Sequence, residues 1–452
     1  MTLLNELSAE VCQRARMSRD PRFDGRFFVA VKTTGIFCRP ICPANLPKEE
    51  NVEYFSSQAL AVSAGYRPCL RCRPESTPHS WAWKGAETTF LRALTLIEQG
   101  DLDGSLETLA SRLGISDRYL RQLFQRHLGM PPKQYAQIQQ LMFAKQLLHT
   151  SQISITKVAY ASGFQSTRRF NDAFQKLFRL TPTQVRRERA ALPSRNHLSL
   201  AFRGPFDWAH MLDFYRLRAI EGMELVDEQS YQRHFVLGEG TGWFKASMAQ
   251  SHLDIEFEME RLSDLRHLVA RLRRMFDLDA DLISIEAHLE QLAPGLVRRT
   301  GIRIPGVWNA WEAGVRAVLG QQVSVKAAIG QLNLLVSTLA ASEGSTRYFP
   351  TPEQVQMSDL SFLRMPERRK ETLKRLADYV RLHPMDSPMA WLSLSGIGPW
   401  TVDYAQLRGE SRSHCFLTGD LIVKKALAKF PHLTAESVAP WGSYATFHCW
   451  SH

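Results

Sequence analysis

Four of the seven cysteines in this chain fall in two short clusters, Cys38-Arg-Pro-Ile-Cys42 and Cys69-Leu-Arg-Cys72. Thiolates at C-x3-C and C-x2-C spacing can converge on one tetrahedral zinc, each cluster closing half of the site with a short loop. Four sulfurs fill the coordination shell, so the metal is expected to be structural, and a small domain gains its stability from such a staple. The alternative is a set of four buried free thiols. A zinc-bound thiolate stays deprotonated at neutral pH, so one of the four could also act as a nucleophile; the spacing leaves this open. An odd cysteine count with this clustering suits a reducing compartment better than a disulfide scaffold.

Composition narrows the class further. The chain has 452 residues, 44% apolar and 22% charged, which suits several globular cores rather than disorder. No apolar run approaches the ~20 residues that span a bilayer, and the opening residues lack a signal-peptide core. A cytoplasmic, nucleoid-associated protein with no membrane partner is expected. The net charge of +11 is unevenly spread: +3 over 1–75, +8 over 76–190, −6 over 191–290 and +6 over 291–452. Localised positive charge points to a polyanion, because each neutralised phosphate releases counterions.

Polar stretches at 73–78 and 192–196 read as linkers. With the later change from strand-like to helical pattern, they divide the chain into 1–75, 76–190, 191–285 and 286–452. Alternating patterns predict strands at Leu198–Phe202, Tyr231–Leu237, Gly242–Ser247 and His252–Met259. Helices are expected at Trp208–Ile220 and Leu262–Phe276, and from Trp308 onward the chain reads as helical. The fold class is therefore multidomain, mainly α with α+β parts.

The most basic segment carries one pattern twice. Ser105–Ile115 reads as a helix stopped by Gly114, after which Ser116 caps a second helix from Asp117. Ile155–Phe164, broken at Gly163, is followed in the same way by Ser166 and a helix from Thr167. Helix, glycine turn and second helix is the geometry that sets a recognition helix in the major groove. Arg118 and Arg121 in the first copy, and Arg168, Arg169 and Asn171 in the second, fall where bases or phosphates would be met; the sequence does not separate the two roles.

Toward the C-terminus, Leu394-Ser-Gly396-Ile-Gly398-Pro-Trp400-Thr401 reads as a turn entering a helix. Glycines there let backbone amides approach a phosphate. Asp420 follows 22 residues after Gly398. It reads either as the cap of the next helix or as a carboxylate held beyond a DNA-binding hairpin.

These runs resemble known families. Thr33–Cys42 together with Gly65–Cys72 closely resembles the zinc-binding domain of bacterial Ada alkylation-response proteins, over residues 10–75. The resemblance implies that Cys38 accepts a methyl group from a DNA methyl phosphotriester, with Cys38, Cys42, Cys69 and Cys72 holding zinc. Thr34, Arg67 and Arg71 match positions near the DNA backbone, or are ordinary surface residues. Residues 85–187 resemble an AraC-type double helix-turn-helix domain, which implies promoter DNA and RNA polymerase as partners.

The hairpin, Val315–Val325 and the ending Pro440–Trp450 resemble AlkA-type 3-methyladenine DNA glycosylases. That implies an α+β, TBP-like subdomain, an all-α helix-hairpin-helix domain and Asp420 as the catalytic carboxylate. It further implies a base pocket of Trp400, Tyr404 and Trp450, backbone contacts at Gly396, Gly398 and Thr401, and Gln322 where the best-known form has a leucine wedge. Bifunctional relatives carry a lysine near Trp400; this chain does not, so strand cleavage is not expected. Cys415 and Cys449 are too few for an iron–sulfur cluster, and no organic cofactor is called for. No Pro-Cys-His-Arg run occurs, so the base-methyl transferase half of Ada is missing. The reading is a monomeric repair protein with zinc; the alternative is a damage-responsive regulator whose glycosylase half only binds DNA.

Overall fold

The computed structural model describes residues 7–451 apart from 21–22, 73, 75–88, 95, 99, 101–104, 152, 188–195, 340–341, 344–345 and 385. Most of both expected linkers lies outside the described residues. The chain divides into two compact units, 1–139 and 140–452. Among the described residues no helix is long and apolar enough to cross a membrane.

In the first unit, a four-stranded sheet has the order β3 (Val52–Phe55), β1 (Phe28–Val31), β2 (Ile36–Cys38), β4 (Arg67–Pro68). The β1–β2 hairpin turns at Gly35, whose φ of +64° favours glycine. Alternation along β1 splits the core across the sheet. Phe27 and Val29 pack with Cys12 and Ala15 of the helix Ala9–Met17, while Phe28 and Ala30 pack with Phe37 and Ala61. β2 and β4 run parallel with Phe37 opposite Pro68, and the Cys69 N–H donates to the Phe37 carbonyl at 3.0 Å. That pairing brings Cys69 beside the end of β2, where Cys38 sits.

The first helix pair of the expected repeat is Leu106–Arg112 and Asp117–Leu128. Gly114 turns at φ +68° between them, and the Ser116 hydroxyl accepts from Tyr119 N at 3.2 Å. Its core is Phe90, Ile97, Leu109, Leu120 and Phe124. The second pair, Ile155–Ala161 and Thr167–Phe178, repeats the design in the second unit, with Gly163 at φ +87° and Ser166 as cap. Phe170 and Phe174 are fully buried, so the helix turns one face inward and leaves Arg168, Arg169 and Asn171 on the other.

The second unit also holds a five-stranded antiparallel sheet in the order β5 (His197–Ala201), β9 (His252–Met259), β8 (Gly240–Met248), β7 (Ser230–Leu237), β6 (Glu224–Val226). The four expected strands form to within two residues at each end. β6 was not legible: at three residues it is too short to show alternation. The helix Trp208–Arg216 stops earlier than expected, because Leu217 caps it and Ile220 N donates to the Glu224 carboxylate at 2.9 Å. The expected helix from Leu262 opens instead as a 3-10 turn, Leu262–Asp264, and becomes α-helical over Leu265–Met275.

Sheet and helical part are joined by a buried charge network. Arg233 of β7 reaches Glu224 (2.9 Å) and Glu312, and Arg316 reaches Glu312 (2.8 Å) and Glu224 (3.1 Å). Two guanidiniums and two carboxylates balance, which is the condition for burying them; removing one partner of such a set costs about 3–5 kcal/mol. Glu312 and Arg316 lie on the helix Ala310–Gly320, so the network fixes the helix that leads to Gln321 and Gln322.

Candidate metal centre and active-site cavity

The sheet register brings the two cysteine clusters together. The donor sulfurs of Cys38, Cys42, Cys69 and Cys72 all lie within 4.8 Å of one another. Cys42 and Cys72 are buried, while Cys38 and Cys69 remain half-buried. The Arg39 backbone N–H donates to the Cys72 sulfur at 3.4 Å, and the Arg39 side chain is pinned by Asp24. Four thiols this close cannot all ionise without a cation. A hydrogen bond with Cys72 and burial push the Cys38 thiol far up, and the same hydrogen bond pulls Cys72 down to about 6. An all-sulfur, four-donor, closed set is the chemistry of a structural zinc. Metal analysis is expected to give one zinc per chain, and a chelator to melt the small sheet. Metal-free protein that keeps this sheet would contradict the site.

Thr34, Arg67 and Arg71 are all exposed. Thr34 precedes Gly35, whose carbonyl accepts from Arg67 N at 2.9 Å, so two of the three share one edge of the sheet. In the helix-turn-helix units, Arg118, Arg168, Arg169 and Asn171 are exposed, whereas the Arg121 guanidinium is held by Asp117 at 3.0 Å.

In the helical part of the second unit, the hairpin residues precede the helix Pro399–Glu410. Gly396 has φ +93°, and a Cβ there would sit 2.1 Å from the Thr372 hydroxyl oxygen, so the position excludes a side chain. A Cβ on Gly398 would meet nothing, which leaves the helix N-terminus open to an approaching anion. Thr401 is buried, and its hydroxyl accepts from Gln321 Nε2 at 3.2 Å rather than facing solvent. The same Gln321 amide donates to the Gly396 carbonyl at 3.2 Å. It thereby ties the hairpin to the turn bearing Gln322, which is exposed at φ +56°.

Trp400, Tyr404, Asp420 and Trp450 line one cavity of about 600 Å³. Trp400 and Tyr404 stack at 5.3 Å and 26°, as their i, i+4 spacing allows. Asp420 is both of the things its sequence position suggested. It caps the helix Leu421–Leu427 through Oδ1, which accepts from Ile422 N (2.9 Å) and Val423 N (3.2 Å). That oxygen also accepts from Trp450 Nε1 at 3.1 Å, which leaves Oδ2 without a described partner. Three donors on one oxygen fix the carboxylate at the cavity wall. Among the described residues no lysine lines the cavity.

Sequence reasoning missed part of this wall. Phe214 and Arg218 line it from the segment after the first strand of the large sheet. Phe214 lies nearly parallel to Trp450 at 6.3 Å, and the Arg218 guanidinium sits 3.7 Å over the Phe214 ring as a cation–π pair. The pair is spaced i, i+4, a signal present in the sequence but lacking any link to the hairpin some 180 residues on.

A zinc domain and paired helix-turn-helix units, followed by a glycine hairpin that braces a carboxylate-bearing aromatic cavity, put this chain among multidomain proteins built around the helix-hairpin-helix glycosylase fold. Family models match in the same order: a metal binding domain of Ada at 11–75, a helix-turn-helix domain at 109–188 and an AlkA N-terminal domain at 197–309. A Mycobacterium tuberculosis protein described as a probable bifunctional transcriptional activator/DNA repair enzyme AlkA is 34% identical, over 98% of this chain and 96% of its own length. Escherichia coli DNA-3-methyladenine glycosylase 2 is 33% identical over 56% of this chain and 96% of itself. The E. coli bifunctional activator/repair enzyme Ada is 34% identical over 38% of this chain and 47% of itself. The chain belongs to the family of bifunctional transcriptional activator/DNA repair proteins in which Ada-type and AlkA-type parts are joined.

Proposed function

We propose that this protein repairs alkylated double-stranded DNA in two ways and reads promoter DNA with its helix-turn-helix units. The observation that carries the reading is the Asp420 carboxylate, fixed by two helix amides and the Trp450 indole at the wall of an aromatic cavity. A purine turned out of the duplex would stack on Trp400 and Tyr404. Its C1′–N bond breaks with the electron pair going to the base, and Asp420 stabilises the positive charge left on the sugar or orients the attacking water. Water supplies the oxygen of the new C1′–O bond and releases one proton to the bulk solvent. Methylation at a ring nitrogen gives the base a positive charge, so it leaves as a neutral molecule without being protonated.

The second reaction is assigned to Cys38. Its sulfur attacks the methyl carbon of a phosphotriester, the methyl–oxygen bond breaks, and a phosphodiester anion departs. Zinc, when bound, keeps the thiolates deprotonated at neutral pH. Methylation turns one thiolate into a neutral thioether, so repulsion between the cluster and the DNA backbone falls and binding tightens. The protein is expected to act as a monomer, with RNA polymerase as the partner of the promoter-bound form.

The four stretches 1–75, 76–190, 191–285 and 286–452 would then be sensor, reader, α+β support and glycosylase. Methylated duplex DNA incubated with the protein is expected to yield free methylated purines and abasic sites, with strands intact until alkali is added. Strand cleavage without alkali would overturn the monofunctional reading. In the reader, replacing Arg168 and Arg169 by Ala should weaken promoter binding and flatten the slope of log K against log salt by about 1–2. An unchanged slope would remove both from the interface.

A further inference from the structure

The rim of the cavity on the side of the helix Leu421–Leu427 differs in chemistry from the interior. Asp420, Leu421 and Ile422 all line the cavity, with Asp420 as the cap of that helix. The helix buries Val423 and Ala426, which turns one face inward. Two large apolar side chains at its start are left to water: Leu421 is 66% exposed and Ile422 50%. Lys424 and Lys425 follow, both exposed, and among the described residues neither makes an ion pair or a side-chain hydrogen bond. Spacing of i, i+4 sets Lys424 in line with Asp420, and Lys425 in line with Leu421. Cα–Cβ bonds of a helix tilt toward its N-terminus, so both lysine stems set out toward the cavity mouth. Asp213 and Asp420 stand on the cavity wall; Asp213 is paired with Arg216, whereas Asp420 keeps one oxygen without a described partner. A phosphate drawn to this mouth meets that carboxylate as a like charge, and nearby cations offset the repulsion.

We infer that Lys424 and Lys425 grip the DNA phosphates flanking the extruded nucleotide, with Leu421 and Ile422 against its sugar; the inference rests on the excision reading above. A nucleotide turned out of a duplex rotates about its backbone, so the base enters the cavity while sugar and flanking phosphates stay at the mouth. Extrusion costs stacking and pairing energy, which stacking on Trp400 and Tyr404 only partly returns. Contacts to the backbone supply more, and they fix the register of the strand. The rim offers groups in the order a strand presents its own, apolar side chains for the sugar and ammonium groups for the phosphates. Lysine suits the task because its charge sits on a flexible stem and can follow a phosphate that shifts as the nucleotide turns. The helix N-terminus at Gly398 is open to another phosphate, so the strand is held at two separate places. Bond breaking stays with Asp420, and the lysines bind and position.

The test is single-turnover release of 7-methylguanine from a duplex holding one such base, by the full-length protein at about 50 and about 200 mM salt. The quantity read is the half-saturating protein concentration; the share of binding due to the helix-turn-helix units is common to all variants and cancels in the ratio. Replacing Lys424 and Lys425 together by Ala should cost affinity most at low salt. The wild-type advantage should shrink about tenfold across that salt range, because two lost phosphate contacts lower the slope of log K against log salt by about 2. Each single Ala variant should lose about half of that slope, so the result does not depend on the double variant folding. Lys424→Arg and Lys425→Arg, which keep the charge, should restore it. Lys429→Ala removes an exposed lysine beyond the end of the same helix and should keep the wild-type slope. Wild-type slopes in the Ala variants would overturn the inference, even with lowered melting temperatures, since the lysines would then serve the helix alone. An equal loss in Lys429→Ala would also overturn it, as general attraction to DNA rather than a grip at the mouth. Wild-type protein that releases no 7-methylguanine would refute the excision reading itself, and the inference with it.

Discussion

Cys38→Ala is expected to leave the protein unable to take a methyl group from DNA phosphotriesters, a complete loss rather than a partial one. The acceptor is consumed in the reaction, so no other residue can substitute for it catalytically. Burial narrows the choice before any family likeness is considered. Cys42 and Cys72 are 7% and 9% exposed, whereas Cys38 and Cys69 are half-buried, the more open residues of the four. The resemblance to Ada-type domains selects Cys38 from that pair. Wild-type protein treated with methylated DNA should carry one methyl group per chain, on the peptide containing Cys38 by mass spectrometry. Methyl found on the Cys69 peptide, or on the Cys38→Ala protein, would contradict the assignment. Because the variant keeps three thiolates, its zinc content distinguishes a lost nucleophile from a lost domain.

Asp420→Asn separates the two duties of one side chain. As a helix cap, Asn is about as good as Asp, and its amide oxygen can still accept from Ile422 N, Val423 N and the Trp450 indole. The melting curve should therefore stay within about 0.5 kcal/mol of wild type. As a charge, Asn is no replacement, because the sugar cation loses the group that stabilises it. Base release is expected to fall by about 10³-fold, the upper end for removing one preorganised electrostatic group. An equal loss of stability and of rate would mean that the cap was all Asp420 provided.

Local features were legible in the sequence because their signals are local. The cysteine spacing, the Ser116 and Ser166 caps, the glycine turns and the alternation in β7 to β9 each declare themselves within about ten residues. The hairpin glycines did so as well, and Gly396 has a reason in its close approach to Thr372. What escaped was whatever depends on distant chain segments meeting. Phe214 and Arg218 become cavity wall only because the segment after β5 packs against the helix that ends in Trp450. Gln321 looked like its neighbour Gln322, yet its amide points inward to Gly396 and Thr401 while Gln322 is left at the apex. Thr401 was expected among the DNA contacts; its side chain is buried and its hydroxyl accepts from Gln321 in that same brace, a position that bears on the hydroxyl alone.

The central claim is that Asp420 and the aromatic cavity excise alkylated bases. Its most direct test is chromatographic detection of free base from methylated duplex DNA, with wild type beside Asp420→Asn. Release of methylated purines by wild type, with loss in a folded Asp420→Asn protein, is the result expected. Release at the same rate by both would contradict the role of the carboxylate, and release by neither would leave the C-terminal part a DNA-binding module of a damage-responsive regulator.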